Sequence, residues 1–338
     1  MKKKIALITG LSGQDGAYLA KFLLKKNYKV IGCDRRSSRN DDWRLRYLNI
    51  SDKVIREDID ISEINNIHRL FKKYKFDEVY NLAAQSFVHS SFETPITTTH
   101  STGLGPLNIL EIIRNLKIKP KFYQASSSEM FGDVKNSYQN EKSEFNPQSP
   151  YAISKLYAYH ITKNYRDSYD IFSVNGILFN HESPLRGEEF ITKKITSNLV
   201  KLLKNKIKFL EVGNIYAKRD WGYAGDYVEA MWKMLQAKKP DDYVIATGKA
   251  YSVKEFINHC TKYLKLNTKW IGKGLNEKLV NTENNKIIVK INKKFFRPSE
   301  VNYLRGNYSK AKKILKWKPN VNIKELVKKM LDYDLKKY

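Results

Sequence analysis

The chain has 338 residues, with 62 Lys and Arg against 35 Asp and Glu, for a formal net charge of +27. That length suits one or two globular domains, and with no apolar run of eighteen residues no membrane span is expected. Two cysteines, Cys33 and Cys260, make neither a disulfide framework nor a zinc cluster, so no metal is expected and the setting is a reducing, cytoplasmic one. The basic residues are scattered over helix surfaces without an arginine-rich arm, so specific nucleic-acid binding is not expected, though the field would steer an anionic ligand.

The start, MKKKIALITG, reads as a first strand rather than a signal peptide, because its apolar run breaks at Gly10. KIALIT runs into Gly10-Leu11-Ser12-Gly13-Gln14-Asp15-Gly16, which opens the amphipathic YLAKFLLKK. Gly10 permits the turn, Gly13 lets backbone approach a pyrophosphate, and Gly16 allows helix to pack on strand. The helix N-terminus adds N–H donors and a partial positive charge. At the end of the second strand, YKVIGCDRRSS, Asp34 would select a ribose hydroxyl and NAD, whereas Arg35, Arg36, Ser37 and Ser38 would accept the 2′-phosphate of NADP. Two guanidiniums outweigh one carboxylate, so NADP is expected, with an ordinary solvated charge run as the alternative. The mixed-charge stretch 35–61, with Trp43, predicts a loop or short helix.

FDEVYNLAAQSFV (76–88) reads as a buried strand ending in small residues, and KFYQASSSEMFG (121–132) as the next, ending in Ser126, Ser127, Ser128 and Glu129. In an open parallel sheet, ligands bind at such strand ends. In SPYAISKLYAYHI, Tyr151 and Lys155 share one helix face. A phenol of pKa about 10 is a poor base, but a neighbouring cation favours the phenolate, which can take the proton of a secondary alcohol as hydride leaves. Strands near 4–9, 28–33, 77–82, 121–126 and 171–178 alternate with helices, predicting a doubly wound parallel sheet. Beyond 180 come a helix (ITKKITSNLVKLLKN), a short strand (KFLEVGN), a helix (AGDYVEAMWKMLQ), a strand (DDYVIATG) and two C-terminal helices by periodicity. Residues 271–292, rich in Asn and Lys, read as a loop.

These residues carry a resemblance. GxxGxxG followed by YxxxK resembles the extended short-chain dehydrogenase/reductases. LITGLSGQDGAYLAKFLL, NLAAQSFV, FYQASSSEMFG, NGILFNHESPLRGEEFITKKIT, KRDWGYAGDYVEAMW and FFRPSEVNYLRGN, in order from residue 5 to about 320, are similar to the GDP-mannose 4,6-dehydratase family within them. The resemblance implies an NADP-dependent lyase with a Rossmann-type domain at 1–180, to which 208–250 partly returns. It places a smaller α/β lobe for the sugar nucleotide at 181–207 and 251–338. It implies conversion of GDP-mannose to GDP-4-keto-6-deoxymannose and water. A GDP-heptose, a 4-reductase or epimerase reaction, or a non-enzymatic NADP-binding regulator are the alternatives.

Carried over by position, the family's active-site threonine falls on Ser127, its glutamate on Glu129, and its tyrosine and lysine on Tyr151 and Lys155. The serine keeps the hydroxyl and loses a methyl. Cofactor contacts fall on Gly10, Ser12, Gly13, Gln14, Asp15, Gly16, Arg35, Asp58, Ile59, Leu82, Ala83, Ala84, Ser86, Tyr151, Lys155, His181 and Arg186. Contacts to the GDP-sugar fall on Ser86, Ser127, Ser128, Asn180, Lys194, Arg219, Arg297 and Glu300. A homodimer or homotetramer is implied as well, although the 35–61 stretch is shorter than the family's oligomer-forming region.

Overall fold

The structure, a computed structural model, describes residues 3–38, 42–133 and 138–338. The first strand, β1 (Ile5–Thr9), leads through the glycine turn into α1 (Gln14–Lys25). Then follow β2 (Lys29–Asp34), α2 (Trp43–Tyr47), β3 (Ile55–Asp58), α3 (Ile64–Lys73) and β4 (Glu78–Asn81). Short helices α4 (Val88–Glu93) and α5 (Pro95–Thr98) and a π-turn (Thr99–Leu104) enter α6 (Gly105–Asn115). The strand β5 (Lys121–Ser127), the long helix α7 (Pro150–Tyr169) and β6 (Ser173–Leu178) complete this half.

Side-chain alternation explains why these strands stack centrally. Ala6 and Ile8 of β1 face one hydrophobic cluster and Leu7 the other, and Phe122 and Tyr123 of β5 divide in the same way. Both faces are therefore buried, as a parallel sheet between helices requires. The strands lie in the order β3-β2-β1-β4-β5-β6 and pair in parallel. Strand order reverses between β1 and β4, which opens the ligand crevice at their carboxyl ends.

After β6 come β7 (His181–Glu182), α8 (Ile191–Leu203), β8 (Leu210–Val212), β9 (Lys218–Asp220), β10 (Gly222–Tyr223), α9 (Ala224–Leu235) and β11 (Asp242–Ile245). The last of these pairs in parallel with β6 and adds a seventh strand to the main sheet. Next are β12 (Ala250–Ser252), α10 (Val253–Tyr263), β13 (Thr268–Ile271), β14 (Lys278–Asn281), β15 (Ile287–Ile291), α11 (Ser309–Leu315) and α12 (Ile323–Lys337). A second sheet, β13-β14-β15-β8, is covered by α8, α10 and α12 over its own core. Among the described residues, no helix is long and apolar enough to cross a membrane.

Two expectations are corrected. The segment 271–292 is not a loop: β14 and β15 form an antiparallel hairpin, with Leu279, Val280, Ile288 and Val289 buried. The surrounding Lys and Asn residues masked these short buried pairs, while Asn285, in the left-handed region at φ 57°, turns the chain. The stretch 35–61, of which 39–41 lie outside the described residues, carries the edge strand β3 besides the short helix α2. An edge strand with one solvated side reads as polar sequence, and Ile55 is exposed.

Candidate active site

At the mouth of β1, Gly10 takes φ +73°, and a Cβ there would stand 3.0 Å from the Ala83 nitrogen of the loop after β4. A Cβ at Gly16 would fall 2.2 Å from the Gly10 carbonyl oxygen and 2.7 Å from Leu11 Cα. Gly13 begins α1 without any side-chain cap, so the helix start offers N–H groups to an anion. The Asp34 carboxylate accepts from the Ser12 amide at 3.0 Å and from its hydroxyl at 3.0 Å, tying β2 to the turn. Because backbone surrounds Gly16, Gly16→Ala is expected to lower unfolding free energy by about 1–3 kcal/mol and to abolish dinucleotide retention. Urea titration and mass analysis of the released nucleotide check this.

The end of β5 gathers the next group. Ser149 caps α7 by accepting from the Ala152 amide at 3.1 Å, and Pro150 occupies its first turn. This fixes the helix so that Tyr151 and Lys155 are both buried. The Ser127 hydroxyl lies near the Tyr151 phenol and accepts from the Glu129 amide at 3.2 Å. Burial pushes Tyr151 up to about 12; the Ser127 hydrogen bond opposes that rise and nearby Glu129 adds to it. The Lys155 ammonium donates to the Ala125 carbonyl at 2.6 Å and lies 5.8 Å from the Tyr151 ring centre, and burial lowers it to about 8. The lysine is thus anchored to strand β5 rather than bonded to the phenol oxygen. Ser126, grouped with the site by sequence, turns the other way and donates to Asn175 Oδ1 at 3.1 Å within the sheet.

The second lobe closes over Glu129. Arg297 Nη1 stands 3.5 Å from Glu129 Oε2, and Arg219 Nη2 stands 3.5 Å from Glu300 Oε1. Glu129 and Arg219 are both 6 % exposed, so these pairs act in a poorly screened place. Asn180 Oδ1 is buried without a partner, which suits a ligand donor. Lys194 has its ammonium 3.4 Å from the Phe295 ring centre and is lowered to about 8, chiefly by burial.

On the opposite side, the loop after β6 folds onto the glycine turn. Ser183 donates to Gln14 Oε1 at 2.7 Å, and His181 Nε2 lies 2.7 Å from Asp15 Oδ2. Arg186 Nε lies 3.1 Å from Glu182 Oε2, with its guanidinium carbon 3.5 Å from the Phe190 ring centre. Leu82, Ala83 and Ala84 are half-buried at the end of β4, with Ser86 exposed beyond them, and Ser128 is buried beside Glu129. Arg35 and Asp58 are exposed at the ends of β2 and β3, and Ile59 is buried, its amide donating to the Asp34 carbonyl at 2.9 Å. Three contributors escaped the sequence reading. Arg44 of α2 donates to the carbonyls of Ser12 at 3.0 Å and Leu185 at 2.8 Å, linking turn and loop. Buried Asp220 accepts from the Thr247 and Gly248 amides, each at 2.8 Å, and so holds the strand that carries Arg219. Thr9, Asn81 and Gln124 form a hydrogen-bonded chain across three adjacent strands. Only Asp220 had a signal, its place in KRDWG.

This parallel sheet, glycine turn, Tyr/Lys helix and covering lobe define a nucleotide-binding enzyme of the extended short-chain dehydrogenase/reductase type. The family model for GDP-mannose 4,6 dehydratase matches residues 7–330. A GDP-mannose 4,6-dehydratase of Vibrio cholerae is 46 % identical over 354 residues, covering 99 % of this chain and 94 % of the relative. Among solved structures, UDP-glucuronic acid 4-epimerase from Bacillus cereus, in complex with UDP-glucuronic acid and NAD, superposes with TM-score 0.82 at 22 % identity, covering 99 % of this chain and 100 % of that one. The Pseudomonas aeruginosa protein RMD, complexed with NADPH, gives 0.78 at 20 %, covering 99 % and 100 %. The chain belongs to the GDP-mannose 4,6-dehydratase family.

Proposed function

We infer that the chain converts GDP-mannose to GDP-4-keto-6-deoxymannose and water, using a nicotinamide dinucleotide that is regenerated in each turnover. Membership of the family over residues 7–330 carries this reading. The dinucleotide, when bound, supplies a hydride acceptor for carbon 4 and a donor for carbon 6. The uncapped start of α1 at Gly13 suits its pyrophosphate, and the turn that presents it depends on Gly10 and Gly16, where any side chain would meet backbone, with Arg186 close to the same turn. The exposed Arg35 and Arg36 support NADP over NAD, since the Asp34 carboxylate is already engaged by Ser12.

Tyr151, as phenolate, takes the proton of the 4-hydroxyl, with the Ser127 hydroxyl bonded to the same oxygen. The resulting ketone acidifies the hydrogen on carbon 5. Glu129 removes that proton and delivers it to the 6-hydroxyl, which departs as water. Carbon 6 would regain the hydride removed from carbon 4, carbon 5 takes up one proton from solvent, and Tyr151 releases to solvent the one it took, so the cycle closes without net oxidation or net proton change. Arg219 and Arg297 support the binding of the diphosphate by their forked donors, with Glu300 accepting from nucleoside hydroxyls or N–H groups and Lys194 and Asn180 completing the contacts. The homodimer or homotetramer implied by the family belongs to the same proposal, and light scattering measures it.

The test is to denature the purified protein, identify any released dinucleotide by mass, and incubate native protein with GDP-mannose. Released NADP(H) together with a product lighter by one water is the expected result. Bound dinucleotide with GDP-mannose unchanged would overturn the substrate assignment.

A further inference from the structure

His181 has both ring nitrogens committed. Nδ1 lies 2.7 Å from the Phe179 carbonyl oxygen and Nε2 lies 2.7 Å from Asp15 Oδ2. A carbonyl and a carboxylate only accept, so each nitrogen facing them carries a proton. The other arrangement, a protonated Asp15 donating to a neutral ring, is disfavoured because Asp15 Oδ1 accepts from Gln14 Nε2 at 3.0 Å and Arg186 lies close by. Asp15 also sits in the first turn of α1, where the helix favours a negative charge. The His181 ring stacks on Tyr227 of α9, with centres 4.6 Å apart, and its side chain is 11 % exposed.

Asp15 poses a problem that this contact answers. A carboxylate in the first turn beside an uncapped helix start would repel a pyrophosphate laid on the same N–H groups. We propose that His181 is held as an imidazolium by two fixed acceptors and cancels the Asp15 charge at the phosphate cradle, acting as a positioning residue for the dinucleotide rather than as its ligand or as a base. The charged and titratable groups around the ring are Asp15 of α1, Arg186 and Glu182 of the loop, and Tyr227 of α9. Glu182 is taken up by Arg186 and by the Thr192 hydroxyl at 2.6 Å. Burial opposes charge on both partners, yet their mutual attraction outweighs it: His181 is raised and Asp15 lowered from their ordinary values. The same pair joins the first helix to the loop that carries Arg186, so it sets the width of the cradle.

This proposal rests on a dinucleotide occupying the glycine turn, and its tests separate the two. His181→Gln leaves the half-buried Asp15 without its hydrogen-bonded cation, with only the more distant Arg186 to offset its charge, and is expected to weaken NADP binding about a hundredfold; Asp15→Asn combined with His181→Gln is expected to recover at least about tenfold of that loss. A double variant that binds no better than His181→Gln would mean that the imidazole itself touches the dinucleotide, and would overturn the proposal. Independently of any ligand, ring-15N-labelled histidine in the wild-type protein should show both His181 nitrogens protonated at neutral pH. The His181 signals are assigned by their absence from His181→Gln and by their shift in Asp15→Asn. An unprotonated ring nitrogen at neutral pH overturns the proposal even where the variants prove unstable. A wild-type protein that binds no dinucleotide but shows the doubly protonated ring would instead remove the reading of the glycine turn.

Discussion

Glu129→Gln is expected to stop dehydration while leaving the first half of the reaction running. The substitution keeps the volume of the side chain and its place after β5, where the Glu129 amide donates to Ser127 Oγ at 3.2 Å. It removes the carboxylate that we propose takes the carbon 5 proton and passes it to the departing hydroxyl. General acid–base assistance of this kind is worth about a hundredfold to ten-thousandfold, and here one residue serves twice, so product formation should fall by about a thousandfold or more. Tyr151 is untouched, so reduced-nicotinamide absorbance should still appear on mixing with GDP-mannose, without a product lighter by one water. A variant that makes product at the wild-type rate would exclude Glu129 as the acid/base. Loss of the absorbance signal as well would mean that the Glu129–Arg297 contact at 3.5 Å is needed to seat the sugar.

The two halves of the site were legible to different degrees, for physical reasons. The glycine turn and the Tyr/Lys pair are local: their geometry is set by one turn and one helix, so spacing alone placed them. Short apolar runs likewise marked the central strands, because side chains such as Leu7 and Ile8 face opposite layers and both layers are buried. Contacts between lobes left no such trace. Nothing in the spacing of Glu129 and Arg297 places them 3.5 Å apart, and only likeness to a family put them in one list. Arg44 was invisible because its partners are backbone carbonyls, at Ser12 and Leu185, which every residue has. The hairpin β14–β15 was misread because its buried apolar residues are only two short pairs, Leu279–Val280 and Ile288–Val289, set among the charged and polar residues that dominate the composition. Asp34 shows the converse: its identity suggested a ribose contact, but its neighbours Ser12 N and Oγ claim the carboxylate.

Tyr151→Phe should abolish both hydride steps, and thereby differ from Glu129→Gln in kind. Phenylalanine fills the same buried space, so the fold should survive, as a melting curve would check. Without the phenol that we propose takes the 4-hydroxyl proton, neither absorbance change nor dehydrated product should form; the expected loss is about a thousandfold or more. The pH dependence follows from the environment of the pair. In the chain without dinucleotide, burial holds the phenol up at about 12, with the Ser127 bond opposing, and holds Lys155 down at about 8. Activity at neutral pH therefore requires positive charge beyond the Lys155 ammonium already in place, which an oxidised nicotinamide would supply. Removing one cation raises the phenol further, so in Lys155→Met the rising limb of the kcat–pH profile should move to higher pH. In the wild type, activity should fall again as the ammonium deprotonates, since the neutral amine no longer stabilises the phenolate. A Lys155→Met profile that keeps its rising limb in place, with only KM increased, would assign the lysine to ribose binding alone and leave Tyr151 to be activated by the dinucleotide.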